Sequence, residues 1–257
     1  MMFGAPAFMV AYRDLQRFWK YRWWLAGLIA MNLADLFIFA IVFRGIVRRE
    51  VIPDYFHFLA PGIASIAAFA AAFTIGREVM MELRRGFHHY LLSLPISRVD
   101  LVLGRILGGV VRGVIYQMPF LALLVILTGV VGPALALALI VTIMVSASMS
   151  SLSIALSTAV KSLEMQATIR SITYFAIFFL SNVFYPENVL KTRFPEPLYT
   201  MIVNNPISIA TSIYRAIFTP EIIQDTHQVE VLLAKLTLWA ITLVVVGAIL
   251  YDRNLKG

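Results

Sequence analysis

Long apolar runs alternate with short basic stretches along this chain, and their lengths predict the elements. A bilayer core takes about twenty apolar residues of helix, and runs of that order occur at 23–43, 59–75, 113–131, 134–160 and 231–251. A shorter run occupies 172–184. A polar lead-in, 98–112, precedes the third run, and only a tight turn at Gly132 and Pro133 joins the third to the fourth. Residues 252–257 form a stub after the last run. The runs are continuous rather than alternating, so the pattern predicts helices and excludes a barrel. The expected fold is an all-α polytopic membrane protein of six transmembrane helices, one domain over 23–257, with an amphipathic interface helix within 1–22.

That first helix is read from 7–22. Phe8, Met9, Leu15, Phe18 and Trp19 offer apolar bulk, and Arg13, Arg17 and Lys20 offer cations to lipid headgroups. A disordered basic tail is the alternative. The first apolar run is too long for a cleaved signal peptide and lacks a small-residue cleavage site, so it is expected to remain as a span.

Composition agrees with a membrane class. Of 257 residues, 60% are hydrophobic and 14% charged, with a mean hydropathy of +0.85. Soluble domains carry about a quarter charged residues, so this chain could not hide its apolar surface in a soluble fold. There is no cysteine, which excludes disulfide and thiol chemistry. The net charge of +7 sits beside the apolar runs and reads as membrane topology rather than nucleic-acid binding. Thirteen of the 21 Lys and Arg residues fall on one side: Arg13, Arg17, Lys20, Arg22, Arg77, Arg84, Arg85, Arg98, Arg105, Lys161, Arg170, Arg253 and Lys256. Arg44, Arg48, Arg49, Lys191, Arg193 and Arg215 fall on the other. The first set faces the cytoplasm by this rule, with both termini inside.

Two loops stand out. In 77–98, Val79, Leu83, Phe87, Tyr90, Leu91 and Leu94 share one helical face, while Glu78, Glu82, Arg85 and His89 share the other. Gly86 is the expected break, and Leu94-Pro95 the stop. The charged face suits either a soluble partner or lipid headgroups. The long loop 185–230 contains an apolar stretch at 198–218, interrupted by Asn204-Asn205-Pro206. Two amides and a proline argue against a span there. A re-entrant pair of short helices, turned in by Tyr185-Pro186, is expected; a surface-lying helix is the alternative.

Inside the spans, Asn32 and Asp35 lie one turn apart. An ionisable residue at that depth points to a cation or proton site, with an interhelical hydrogen bond to the serine-rich fourth span as the plainer option. Ser146, Ser148, Ser150, Ser151, Ser153 and Ser157, with Gly104, Gly108, Gly109 and Gly113, are read as close-packing residues. Phe69, Phe73, Tyr174, Phe178 and Phe184 could line an apolar cavity. Arg105 and Arg112, seven apart on one face, are expected to meet headgroups or the 77–98 segment. His88-His89 lacks metal-ligand spacing, so no metal is expected.

Several pieces together resemble the permease subunits of ABC-2 type exporters, particularly the drug-export branch. They are Tyr55-Phe56-His57-Phe58-Leu59-Ala60-Pro61-Gly62, Arg84-Arg85-Gly86, Leu91-Leu92-Ser93-Leu94-Pro95-Ile96-Ser97-Arg98 and Gly104-Arg105. Ser181-Asn182-Val183-Phe184-Tyr185-Pro186, Asn205-Pro206 and Tyr214-Arg215 complete the set. The sequence departs from the family at 181–185, usually more hydrophobic or glycine-containing, and at Phe194-Pro195-Glu196-Pro197.

The resemblance implies a plasma-membrane permease working as a dimer, homodimeric or heterodimeric, with two ATP-binding subunits. It makes 77–98 a cytoplasmic coupling helix, with Glu78, Glu82, Arg85, Gly86, His89, Leu94 and Pro95 as docking residues. It makes 185–205 outer re-entrant helices, with Tyr185, Pro186, Asn205 and Pro206 at their turns. Asn32, Asp35 and the five aromatic residues become candidates for the translocation path. No G-x-x-x-x-G-K-[ST] occurs, so ATP and Mg²⁺ are expected in the partner, no cofactor in this chain, and no catalytic residue. The expected cargo is a drug-like or lipid-like amphiphile exported by alternating access, with polysaccharide or glycolipid as alternative. A lipid-modifying membrane enzyme is a second alternative, for which the carboxylate and histidine clusters are too sparse. Glu82→Lys with Arg85→Glu is expected to abolish transport and leave the dimer folded.

Overall fold

The computed structural model describes residues 5–45, 47, 52–160, 162–220 and 229–256. Arg48, Arg49 and Lys161 of the charge count lie outside them. Twelve helices and no strand occur among the described residues. They are α1 (Ala5–Lys20), α2 (Arg22–Arg44), α3 (Tyr55–Phe73), α4 (Ile75–Arg84), α5 (Phe87–Ser93) and α6 (Arg98–Thr128). These are followed by α7 (Pro133–Ala159), α8 (Leu163–Phe179), α9 (Glu187–Arg193), α10 (Glu196–Val203), α11 (Pro206–Phe218) and α12 (Val229–Lys256).

Local chemistry sets several boundaries. Asp54 caps α3, accepting from the Phe56 amide at 2.9 Å and from the His57 amide at 3.4 Å. Burial pushes the Asp54 carboxyl up, but hydrogen bonds from the His57 side chain and from the His57 and Phe56 amides outweigh it and hold it below the usual range. Ser97 caps α6 by accepting from the Asp100 amide at 3.0 Å. Gly129, at φ +69°, ends α6 in the left-handed conformation that glycine adopts without a Cβ clash, and Pro133 begins α7.

Five stretches are long and apolar enough to cross a bilayer: Leu25–Arg44, Tyr55–Arg84, Arg98–Thr128, Pro133–Ala159 and Val229–Leu255. The expected boundaries shift in three places. The polar lead-in 98–112 is no separate element, because α6 runs unbroken for 31 residues. The stub after the last run is helical to Lys256. The short fifth run is displaced: α8 covers 163–179 and ends at Phe179, five residues before the predicted end.

Packing follows the small residues. A Cβ on Gly109 would lie 2.4 Å from Ser150 Cβ, and one on Gly113 would lie 2.1 Å from Ser146 Oγ. Glycine on α6 therefore meets serine on α7 at backbone distance. Gly76 opposes Ser153 and Ser157 in the same way. Gly104 and Gly108 instead receive α1, at Ala7, Val10 and Asp14. The packing role expected of these residues holds, with two partners for the glycines rather than one.

The core has two parts. The larger gathers α2, α3, the later part of α6, α7, α11 and the start of α12. The smaller joins Val10 of α1, Ile75 and Val79 of α4, Leu91 of α5, Leu101 and Ile106 of α6, and Tyr251 and Leu255 of α12. The described ends of the chain therefore meet at one end of the bundle. Arg98 and Asp252, at 3.8 Å, tie its exposed edge.

Candidate functional site

At that end, α1 packs along α6, reaches α4 through Arg13 and Arg17, and carries Ala7, Val10, Ala11, Asp14 and Phe18 inward. Spacings of three and four place these five on one stripe. Asp14 arrives among glycines, where no side chain holds it off. Its carboxylate has no solvent exposure and accepts from Arg105 Nη1 at 2.8 Å and 2.9 Å. The other nitrogen of that guanidinium donates to Glu82, and Arg17 donates to Glu82 as well. Arg13 joins them, 3.3 Å from both Asp14 and Glu82. Desolvation lowers the Arg13 pKa, as do Arg105 and Arg17, against the opposing pull of Asp14.

Two turns further along α6, Arg112 donates to Glu78 at 2.6 Å and 2.8 Å and to the Asp14 carbonyl at 2.7 Å. Its guanidinium lies 5.1 Å from the Phe18 ring, while Phe87 of α5 faces Arg13 at 5.4 Å. Four arginines and three carboxylates thus lock α1, α4 and α6 together. Arg105, Arg112 and Asp14 have at most 1% exposure, so the centre of the network is buried, while Arg13, Arg17 and Glu78 form its partly exposed edge.

This corrects the expected docking surface. Glu82 is buried against Arg13 and Arg17 of α1 and Arg105 of α6, and Glu78 is half-buried against Arg112 of α6, so neither carboxylate stands free on an outer face. Arg13 and Arg17, expected at headgroups, face Glu82, while Arg105 and Arg112 meet the 77–98 segment through Glu82 and Glu78, the second of the two partners expected of them. Phe18 turns inward while Phe8, Met9 and Trp19 stay exposed, so the apolar bulk of α1 divides between two sides. Gly86 breaks the segment as expected, at φ +67° between α4 and α5. The break resets the helical phase, so Leu91 is buried while Tyr90 is exposed, against the single face predicted. Arg85, His89 and Pro95 are exposed, and Gly86 and Leu94 are half-buried.

The α3–α4 joint has its own lock. Thr74 Oγ1 donates to the Ala71 carbonyl at 2.7 Å, and the Phe73 carbonyl turns outward to accept from Arg170 Nη2 at 2.9 Å and from Ser153. A turned-out carbonyl between two helical segments needs such donors.

At the opposite end, α11 is the central pin. Arg215, 3% exposed, donates to the carbonyls of Asn182 at 3.0 Å and Val183 at 2.8 Å and stacks 3.8 Å from the Phe58 ring. Asn205 donates to the Ile177 and Leu180 carbonyls at 2.9 Å and 2.7 Å, while its side-chain oxygen caps α11 at Ile207. Together these donors satisfy the end of α8 and explain why it stops early. Arg215 is therefore no outer surface charge, and it leaves the topology count. Tyr55 donates to the Phe184 carbonyl at 3.0 Å, and a Cβ on Gly62 would lie 2.7 Å from Val183 Cγ1. Tyr185 is exposed, Pro186 precedes α9, and Pro206 is buried at the first turn of α11.

Between the ends, Asn32 donates to Tyr116 of α6 at 2.8 Å, so its partner is not the serine-rich helix. Asp35 is half-buried. The five aromatic residues come together as packed rings rather than as a cavity wall. Phe69 stacks on Tyr174 at 4.7 Å, Phe73 sits edge-on to Phe69 at 5.4 Å, and Phe178 contacts Phe184 at 5.3 Å. Phe69 has no exposure at all.

Sequence reasoning missed Asp14 and the part of Arg13 and Arg17, and it left Arg105 and Arg112 divided between headgroups and the 77–98 segment. The signal was present as two stripes: Glu78 and Glu82 four apart on one helix, Arg105 and Arg112 seven apart on another. Among the described residues no group of three or more His, Asp or Glu side chains could hold a metal ion.

Comparison with curated proteins found no significant match. The family described as ABC-2 type transporter matches residues 7–219. That interval takes in both the charge network under α1 and the pin made by α11. The chain belongs to the ABC-2 type transporter family, as a multi-pass membrane permease component of the transporter.

Proposed function

We propose that this chain is the membrane half of an ATP-driven exporter, two copies of which pair in the plasma membrane with two ATP-binding subunits. In this reading six helices cross the bilayer, α8 being the sixth despite its 17 residues, and both termini are cytoplasmic. The α9 and α10 helices form the outer re-entrant pair. The cargo is a drug-like or lipid-like amphiphile, ATP and Mg²⁺ reside in the partner, and the paired spans alternate access by rigid-body rocking.

One observation carries the reading. The α4–α5 segment is amphipathic, lies at the basic end and is tied rigidly into a membrane helix through Arg105 and Arg112. A push on its outer edge therefore moves α1 and α6 together, because a buried ion network has one well-packed arrangement. That edge consists of Arg85, His89, Tyr90 and Pro95, and these replace the carboxylates as docking residues.

Arg85→Glu with His89→Glu is expected to lower cargo-stimulated ATP hydrolysis of the assembled transporter at least tenfold, in line with the 2–5 kcal/mol typical of a disrupted interfacial charge pair. Purification and melting of the permease alone should not change. Hydrolysis and transport at native rates in that variant would remove α5 from the docking role.

A further inference from the structure

On the side of α1 turned away from Asp14 runs a second stripe. Phe8, Tyr12 and Trp19 share it, at spacings of four and seven, and all three are more than half exposed. Along this stripe lies a groove of about 560 Å³, lined by Tyr12, Leu15, Gln16 and Trp19 of α1 and by Ile115 of α6. Leu15, Ile115 and the ring faces make it apolar. Its polar tips are the Tyr12 hydroxyl, the Trp19 indole N–H and the Gln16 amide, and none of them makes a hydrogen bond among the described residues.

The two ends of the groove differ. Ile115 stands about 20 Å along the axis from Thr128, where α6 ends, and so lies within a ~30 Å hydrocarbon core. From Ile115, Met118, Ala122 and Ile126 continue one exposed apolar row along α6. At the other end Lys20 follows Gln16 by one turn on the same row, and Arg22 comes two residues later. Both are exposed, as are Tyr21 and Trp23 beside them. Arg13 and Arg17 are held by Glu82 and leave these two cations to serve the groove. An apolar slot, then rings with polar edges, then cations is the order in which a phospholipid presents its chain, its ester groups and its phosphate.

We infer that the groove between α1 and Ile115 is a lipid site: it holds one acyl chain of an anionic phospholipid, whose phosphate meets Lys20 and Arg22. A zwitterionic lipid offers the same chain and ester groups but carries a cation beside the phosphate, which Lys20 and Arg22 repel. The site needs neither cargo nor an ATP-binding subunit, so it stands apart from the exporter reading.

The test uses the full chain in phosphatidylcholine vesicles, with Trp23→Phe, Trp24→Phe and Trp239→Phe leaving Trp19 as the only tryptophan. Brominated phosphatidylglycerol is expected to reach half-maximal quenching of Trp19 at a mole fraction about fivefold or more below that of brominated phosphatidylcholine. Lys20→Glu with Arg22→Glu should bring the two lipids within about twofold of each other. A chain that keeps Trp239 alone, on α12, should show no preference. Thermal melting reports the fold of each variant. Native mass spectrometry of the unaltered chain gives a second measurement free of the tryptophan changes: phosphatidylglycerol should stay bound against excess phosphatidylcholine, and the double charge variant should lose it. Equal quenching of Trp19 by both lipids overturns the inference, as does the same preference at Trp239 or a preference that survives the charge reversal. Quenching by neither lipid would mean that protein, a second copy included, fills the groove, and would overturn it too.

Discussion

Replacing Arg105 by Ala is expected to lower the melting temperature of the purified chain on the order of 10 °C. The guanidinium has no exposure and holds Asp14 and Glu82 together. Removing it leaves Asp14 wholly buried with only Arg13, at 3.3 Å, as a charge partner. Breaking a buried pair by deleting one member costs about 3–5 kcal/mol, because the remaining charge can neither ionise comfortably nor reach water. Arg98→Ala provides the contrast. Its ion pair with Asp252 is long, at 3.8 Å, and lies at the exposed edge. Exposed pairs contribute about 0–1 kcal/mol, so that variant should melt close to the native chain. Equal melting of the two variants would show that the network does not hold α1 to the bundle. The same physics changes what a Glu82→Lys experiment measures. A lysine there would stand among Arg13, Arg17 and Arg105, and the loss would be one of folding rather than of docking.

The second large effect comes from the helix contacts. Gly76→Ala is expected to prevent recovery of folded protein, because its Cβ would lie 2.3 Å from the backbone oxygen of Ser153. No side chain can be trimmed to make room, so α4 and α7 must part. Gly113→Ala meets chiefly a side chain, Ser146 Oγ at 2.1 Å and Cβ at 2.8 Å, with the Ala68 carbonyl oxygen further off at 3.2 Å, and should cost about 1–3 kcal/mol. Ser146→Gly added to Gly113→Ala should recover much of that loss, whereas Ser153→Gly should not rescue Gly76→Ala. Around Gly27 a Cβ would meet nothing within 4 Å, so this position should accept leucine without loss of monodisperse yield in detergent. If Gly76→Ala and Gly27→Leu gave equal yields, close backbone approach would not be what holds these helices.

The family pieces acquire a physical meaning once the chain is folded. Tyr55, Phe58, Gly62, Asn182, Val183, Phe184, Asn205 and Arg215 come from separate parts of the chain, yet they gather along α11 where the chain leaves α8. Tyr55, Asn205 and Arg215 take up the carbonyls of the chain as it leaves α8, and Gly62 makes room for Val183. Non-helical backbone at such depth persists only when neighbouring groups take up its carbonyls.

The apolar runs determined by themselves that the chain is helical, that it belongs in a membrane, and where five long helices lie, because hydrocarbon leaves the backbone no other partner than itself. Gly86, Leu94-Pro95 and Asn205-Pro206 were equally legible, since glycine and proline act on their own backbone. The fate of the charges was legible only in part: Arg105 and Arg112 were expected at headgroups or at 77–98, and the structure gives them the second. Whether Glu82 meets a partner protein or Arg105, and whether Arg215 lies outside or pins α8, depends on which helix covers which face. That is a long-range contact, invisible to periodicity along one segment. Only tertiary structure turned one expected docking face into an internal lock.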